Sequence, residues 1–443
     1  MKPKKPLHKK VKLIRLYKTL AVVLMLLLLF MPNSIARDVE IETKLLLTVL
    51  GIDRTDDGYE VSGLAVLPEE TQNSNIVKLM VRGEGLSIRK ALDDISSKMG
   101  KTLELSLCGS VVWGDNFKED GIIGAGEYLL SSGFFSPGVY LLQANKLNAR
   151  DILAKSIELN DATITRMSKL VEHNQTGLNV PTTTLLKFIE ETQGVSRASY
   201  MPAIEIAANK PSGGGGQAES GASQSAAAGG GTETKSAESG GGSSGSGNCG
   251  GGCSGSGNSG GGGGETTGVL SMENVFLFKG GRKIKLLTKE ETRGLAWTDE
   301  RSNKGHYVIE NFIYDGVNMK IFNLRLTDKK CRLETKIENG VPKAALRVRL
   351  HMMYEDKYKL HMLWSEYGHT QEELNKAVER ALQKSITAEI KSAVDEMQGC
   401  NCDAFQFTPN MYQFHTKAYR AVKDKLRLFA DTAVEYDVKV SLL

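Results

Sequence analysis

The stretch LLLTVLGI (residues 45–52) is an apolar run of strand length, and a second such run, YEVSGLAVL (residues 59–67), follows it closely. Between them, Asp56-Asp57-Gly58 supplies the residue types that favour tight turns. Two runs joined by so short a turn predict a β-hairpin.

A helix is predicted soon after this hairpin. Apolar residues recur at helical spacing from Leu86 to Met99, with Ser87 as a possible N-cap and Gly100 as a stop signal. The elements predicted next are strands over 103–113 and 139–144 and helices over 127–130 and 148–159. Strand and helix therefore alternate, which is typical of α+β and α/β folds.

The C-terminal part follows another pattern. A hairpin is predicted over 275–287, three strands over 319–326, 330–337 and 344–352, a second helix over 411–429 and a last strand over 434–442. Thr370 and Glu373 form a capping box that opens a long helix ending near Gly399. This order predicts an antiparallel sheet covered by two helices. We expect the following residues of the long helix to form its solvated face: Glu372, Lys376, Glu379, Arg380, Lys384, Glu389 and Lys391. The predicted class is α+β, with several domains and mixed or antiparallel sheets each covered by helices.

Residues 211–267 differ in kind from the rest, since they are mostly Gly and Ser and contain no periodic apolar positions. Such a segment buries too little apolar surface to offset the entropy of ordering it, so we expect a disordered insertion. The simpler interpretation is a loop insertion that the fold tolerates, because the entropy cost of closing a loop grows slowly with its length. An adhesive or spacer role is the alternative.

The N-terminus predicts the compartment. A lysine-rich segment precedes the apolar run Leu20–Met31, which is the pattern of an export signal. Cleavage after Ala36 and retention as an uncleaved anchor both remain open. Lipid attachment is not expected, because the first cysteine is Cys108. The predicted membrane segment is represented by Leu20, Val23, Leu26, Leu29 and Met31.

Composition and motifs point away from nucleic acid and from known catalytic sites. The net charge is +4, and the basic N-terminus supplies more than this surplus, so the exported body is close to neutral and nucleic acid is not an expected partner. Established signatures of nucleophilic, phosphate-binding and zinc sites are missing from the sequence. The pairs Cys249/Cys253 and Cys400/Cys402 are able to form bridges, but no His lies at ligand spacing beside either pair. We therefore predict no catalytic residues, no metal and no cofactor.

The string KEETRGLAW (residues 289–297) resembles the middle-domain signature of the Ger(x)C family, the C subunits of bacterial spore germinant receptors. Other blocks agree with that family in order, among them the first hairpin, Lys336–Gly340 and Phe414-His415. The motif residues to which the resemblance assigns no known role are Glu291, Arg293, Gly294 and Trp297.

The resemblance implies three α+β domains and a non-enzymatic accessory subunit needed for spore germination. Its location would be the extracytoplasmic face of the spore inner membrane, and its partners would be the membrane and membrane-embedded receptor subunits. The expected division is an export signal or anchor at 1–36, then domains at 37–195, 196–310 and 311–443, the second interrupted by the tract at 211–267. Family members usually carry a lipid-attachment cysteine, which this chain lacks. We therefore expect Leu13–Met31 to stay as an uncleaved anchor.

Two other functions remain open at this point. An exported envelope enzyme would most plausibly use Glu291, Arg293 and Trp297, since a charged pair beside Trp is able to form a polar pocket. Against this stands the simpler interpretation that these residues form a structural turn. A ligand-binding subunit that senses a nutrient directly is the third possibility.

Overall fold

The computed structural model describes residues 17–25, 43–68, 76–117, 122–158, 166–207, 268–310, 312–314, 316–318, 321–355 and 370–442. Residues 17–25 are helical and exposed, and they include Leu20 and Val23 of the predicted membrane segment. Within the described parts of the chain, no helix is both long and apolar enough to cross a membrane. Several predictions lie outside the described residues: those for Leu26, Leu29 and Met31, for cleavage after Ala36, for the tract at 211–267, and for Cys249 and Cys253.

The N-terminal half begins with the predicted hairpin. Strands β1 (Lys44–Arg54) and β2 (Tyr59–Pro68) pair antiparallel, and β3 (Ile76–Gly85) continues the meander. Helix α1 (Ile88–Met99) follows, with the Ser87 side chain accepting a bond from the backbone N–H of Lys90 and with Gly100 in the left-handed region at φ 63°. Hairpin, helix and both helix ends are confirmed.

The next elements are β4 (Thr102–Glu104), β5 (Ser110–Trp113), α2 (Ile123–Ser131), β6 (Tyr140–Ala144), α3 (Ala149–Glu158), α4 (Arg166–Thr176), β7 (Thr183–Thr184), α5 (Leu185–Gln193) and β8 (Ala198–Ala207). The prediction of one strand over 103–113 was wrong, because the chain turns between β4 and β5. In that turn the backbone N–H of Cys108 donates to the carbonyl of Leu105 at 3.0 Å, which ends the strand.

These strands form one sheet with those that follow the Gly/Ser-rich tract. Past the tract come β9 (Val269–Ser271), β10 (Val275–Lys279) and β11 (Arg282–Leu286). The order along the sheet is β11-β10-β8-β6-β5-β1-β2-β3, and β1, β5, β6 and β8 are parallel neighbours. Helices α1, α2 and α5 pack on one face of this sheet and α3 and α4 on the other.

Asp53 lies at the end of β1 and joins the sheet to α3. Its carboxylate accepts the backbone N–H groups of Ala149 (2.8 Å) and Arg150 (3.0 Å), which satisfies the start of the helix. Burial raises the pKa of this carboxyl, and the two backbone hydrogen bonds oppose that rise.

The C-terminal part contains a second sheet, in the order β12-β15-β16-β17. Its elements are α6 (Lys289–Ala296), β12 (Gly305–Glu310), β13 (Ile313–Tyr314), β14 (Val317–Asn318), β15 (Ile321–Glu338), β16 (Val341–Tyr354), α7 (Gln371–Gly399), α8 (Phe407–Phe414), α9 (Thr416–Ala421) and β17 (Ala433–Leu442). The capping box of Thr370 and Glu373 is present. The α7 stripe and the inner face of the sheet share one core, which includes Val348, Leu350 and Ile386.

Three predictions about this part were wrong. The strands expected over 319–326 and 330–337 are one continuous strand, β15, because a bulge between Leu326 and Asp328 absorbs the break in alternation. The helix expected over 411–429 is replaced by α8 and α9. Helix α8 begins earlier than predicted because the Asp403 carboxylate accepts the backbone N–H groups of Phe407 and Thr408. His415, at φ −129°, ends α8 and separates it from α9. The sheet is mixed, since β17 pairs parallel with β16. Parallel strands need a long crossover connection, and α7, α8 and α9 lie in the one between β16 and β17.

The α+β class, with mixed sheets covered by helices, is confirmed. The expected domain boundaries at 195/196 and 310/311 stay predictions.

Candidate functional site

The motif string forms a short helix, α6, whose start is fixed by its own residues. The Thr288 side chain accepts the backbone N–H of Glu291 at 3.3 Å, and the Glu291 carboxylate accepts the backbone N–H of Thr288 at 2.8 Å. This is a complete capping box, so the carboxylate of Glu291 stabilises the start of the helix.

Gly294 is the point of closest approach between α6 and α7. A Cβ atom at this position would lie 2.2 Å from the backbone carbonyl oxygen of Glu389 and 2.8 Å from the Cβ of Ala393. Both neighbours are fixed in the long helix and have little room to move. The contact therefore requires glycine.

Glu389 receives the other two motif side chains. Its Oε1 accepts from Arg293 Nε at 3.0 Å, and Arg293 Nη2 also contacts this atom; its Oε2 accepts from Trp297 Nε1 at 2.7 Å. The hydroxyl of Tyr307, on β12, donates to Oε1 at 3.0 Å and lies 2.9 Å from Ser385 Oγ. We call Arg293, Trp297, Tyr307 and Glu389 the motif cluster.

The sequence interpretation was wrong about Glu389, which was placed on the solvated face of its helix. Its exposed fraction is only 8%. One signal was available, since position 389 lies three residues after Ile386 and next to Ile390, on the border of the apolar stripe. Tyr307 carried no comparable signal, because only the fold brings β12 against α6 and α7.

Burial and the charge of Glu389 both shift pKa values in the motif cluster. Burial lowers the pKa of the Arg293 guanidinium, but its hydrogen bond and charge interaction with Glu389 outweigh this and raise the pKa above its ordinary value. Burial, together with the nearby Glu389 charge, raises the pKa of Tyr307 to about 12. Tyr307 is therefore a neutral hydrogen-bond donor near neutral pH. Its ring also lies 5.5 Å from that of Trp297 in an edge-on contact.

Beside the motif helix lies a cavity of about 400 Å³, which we call the polar cavity. Among its lining residues, the Tyr200 hydroxyl lies 3.4 Å from Lys187 Nζ and 3.3 Å from Arg301 Nη2. Glu191 accepts from Ser199 Oγ at 2.6 Å, and burial raises the pKa of both Glu191 and Tyr200. The apolar wall includes Leu295, Leu333 and Leu346. Cations, carboxylates and an apolar wall together suit a small zwitterionic molecule.

The cysteines of the described chain are free. Cys108 is buried, and burial raises the pKa of its thiol to about 12. Cys400 is half-buried, and a hydrogen bond from Cys402 lowers its pKa to about 7, whereas that of the buried Cys402 is raised. Groups of three or more potential metal ligands are absent from the parts of the chain that the structure describes.

Comparison with known proteins identifies both halves of the sequence. Residues 37–206 match a family described as spore germination protein N-terminal domain, and residues 273–443 match one described as spore germination B3/GerAC like, C-terminal. The fold is similar to a solved structure described as the crystal structure of the GerBC protein, with a TM-score of 0.50 and 13% identity over 89% of this chain and 96% of that one. No curated protein matches the sequence.

Proposed function

The chain belongs to the Ger(x)C family, the C subunits of spore germinant receptors, and we propose that it acts as a non-enzymatic accessory subunit of a membrane-associated nutrient receptor. In this role it presents folded surfaces to membrane-embedded partner subunits. The lysine-rich segment and the apolar run at 20–31 would hold it at the extracytoplasmic face of the spore inner membrane.

The observation that carries this proposal is how the motif residues are used. Glu291 caps its own helix, Gly294 allows α6 to approach α7, and Arg293 and Trp297 bind the buried Glu389. Every one of these groups makes an internal contact. This supports a motif that positions α6 on α7, rather than one that performs chemistry on a substrate.

A deletion strain tests the receptor role. We expect spores without this chain to lose germination in at least one nutrient, measured as the fall in optical density after nutrient addition, while spore yield and heat resistance stay normal. Re-expression of the wild-type chain should restore the response. Normal germination of the deletion strain in every nutrient tested, with no redundant homologue in the genome, would contradict the proposal.

Partner binding is tested separately, by affinity purification of the full chain from detergent-solubilised spore membranes. Two multi-spanning receptor subunits are the expected co-purifying proteins. A mature N-terminus at Arg37, found by mass spectrometry of a soluble fraction, would overturn the uncleaved anchor without affecting the receptor role.

The polar cavity supports a second candidate function, direct binding of a small nutrient. Calorimetry of the wild-type chain with amino acids and sugars tests it, with Arg301→Lys as the variant expected to weaken binding, because Lys lacks the planar fork of Arg. Heats equal to those of dilution for all ligands would leave the chain as a scaffold. An enzymatic role would require turnover that Glu291→Gln abolishes in a folded protein. The capping geometry instead predicts that this variant changes only stability.

A further inference from the structure

The C-terminal sheet has one face open to solvent. Along β16, the side chains of Val348, Leu350 and Met352 are buried in the core shared with α7. The alternating residues Arg347 and Arg349 point away from that core and remain partly or fully exposed. The open face therefore carries the charged residues of β16, between the paired strands β15 and β17.

Strand register sets cations directly opposite one another on this face. Lys330 of β15 is opposite Arg349 of β16, which is opposite Lys439 of β17, and one step along the sheet Arg332 is opposite Arg347. We call these five residues the basic face. Like charges directly opposite across strands destabilise a sheet. Folding alone therefore gives no reason for this arrangement.

Carboxylates compensate only part of this charge. Glu334 bridges Arg332 and Arg347 at 3.1 Å each, and Asp437 pairs with Arg349 at 2.5 Å. Five cations against two carboxylates leave a surplus of three positive charges. Lys330 and Lys439 are both exposed, and neither forms an ion pair with another described residue.

We infer that the basic face docks on an anionic bilayer surface, with its lysines and arginines against phospholipid phosphates. The inference rests on the proposed location of the chain beside a membrane. The cations are spread over three strands of a solvent-facing sheet, an arrangement suited to many phosphates at once rather than to one bound ion. Near an anionic bilayer each Lys or Arg contributes about fivefold in affinity, and salt screens the effect.

Lysine footprinting of the full chain tests this docking. The chain is reconstituted into vesicles of phosphatidylcholine alone and of phosphatidylcholine mixed with phosphatidylglycerol, and acetylation rates are read by mass spectrometry. We expect Lys330 and Lys439 to react about threefold or more slowly on the anionic vesicles, and high salt to abolish the difference. Lys391 is the internal control, because it is an exposed residue of α7, the helix that packs on the opposite face of the sheet.

Charge-reversal variants sharpen the test. Arg332→Glu combined with Arg347→Glu should remove the protection of Lys330, whereas the matched control Lys391→Glu should leave it unchanged. If the double reversal does not fold, as judged by circular dichroism, Arg332→Gln with Arg347→Gln replaces it. This variant should weaken the affinity for anionic vesicles at least about fivefold and bring the acetylation rate of Lys330 closer to its rate on neutral vesicles. The Glu334 bridge then loses both partners, so thermal melting is measured alongside.

Three outcomes overturn the inference. They are equal acetylation rates on neutral and anionic vesicles, protection that persists in the charge variants, and protection by a receptor subunit in neutral vesicles but not by anionic lipid. The last of these would assign the face to a protein partner. Failure here leaves the germination result untouched, since the two assays share no readout. Normal germination of the deletion strain, together with lipid-dependent protection, would instead reject only the receptor role.

Discussion

Replacing Glu389 by Ala should clearly destabilise the protein, because three donor side chains converge on one buried carboxylate. Trp297 Nε1 would lose its partner inside the core, and Tyr307 would retain only its contact with Ser385. A buried donor left without its partner costs about 1–2 kcal/mol, and we expect less for Tyr307. The Arg293 side chain is 32% exposed, so its half of the ion pair adds only about 1 kcal/mol after allowance for solvent screening. The expected loss in the free energy of unfolding is about 3 kcal/mol.

Urea denaturation followed by circular dichroism measures this loss. Glu396→Ala is the matched control, since it removes from the same helix a carboxylate side chain that is 28% exposed, against 9% for Glu389, and that pairs with Lys285 at the surface. The control should leave the transition midpoint nearly unchanged, whereas Glu389→Gln, which keeps an acceptor but removes the charge, should fall between the two. If Glu389→Ala and Glu396→Ala unfold at the same urea concentration, the motif cluster does not hold α6 against α7, and the reasoning is refuted.

The remaining predictions concern glycine, aspartate and cysteine positions. Gly294→Ala should lower the free energy of unfolding by about 2–3 kcal/mol, because the added methyl group meets fixed atoms of α7; a midpoint within error of wild type would contradict the close contact. The stability difference between wild type and Asp53→Asn should be smaller at pH ~7 than at pH ~4. The pKa of Asp53 is raised by folding, so the folded protein keeps this proton to higher pH than the unfolded chain does. The free energy of unfolding of the wild type therefore falls as the pH rises and the proton is lost. A deficit that grows with pH would show the opposite sign. In the native protein, iodoacetamide should modify Cys400 with a rate that rises through about pH 7, while the buried Cys108, with a pKa near 12, stays unmodified; equal labelling of the two would contradict this difference in environment.

Elements with local signals were the ones that the sequence predicted well. The first hairpin has a turn of three suitable residues, α1 has a cap at Ser87 and a stop at Gly100, and α7 has a capping box. Each signal acts within a few residues, so no tertiary information is needed to interpret it.

Elements that depend on distant contacts were predicted less well. The bulge in β15 resembles a turn in sequence, because alternation breaks in both cases, and only pairing with β16 keeps the strand continuous. The motif residues Arg293, Gly294 and Trp297 were identified, but their common partner Glu389 lies almost a hundred positions further along the chain. Hydrophobic periodicity places a residue near a core border, and it does not state which donors meet there.

Hydrogen bonding between β8 and β10 has a consequence for the integrity of the chain. These strands lie on either side of residues 208–267 and pair from Ala198 to Pro202 against Val275 to Lys279. If a protease cut the chain between them, β8 would be on one fragment and its partner β10 on the other. Separation of the fragments would break this pairing and leave unpaired edges on both strands, which is unfavourable. The two pieces should therefore stay together as a nicked complex and elute as one species under native conditions, while denaturing electrophoresis resolves them. By the same logic, either half produced alone would lack the partner strand that completes its sheet.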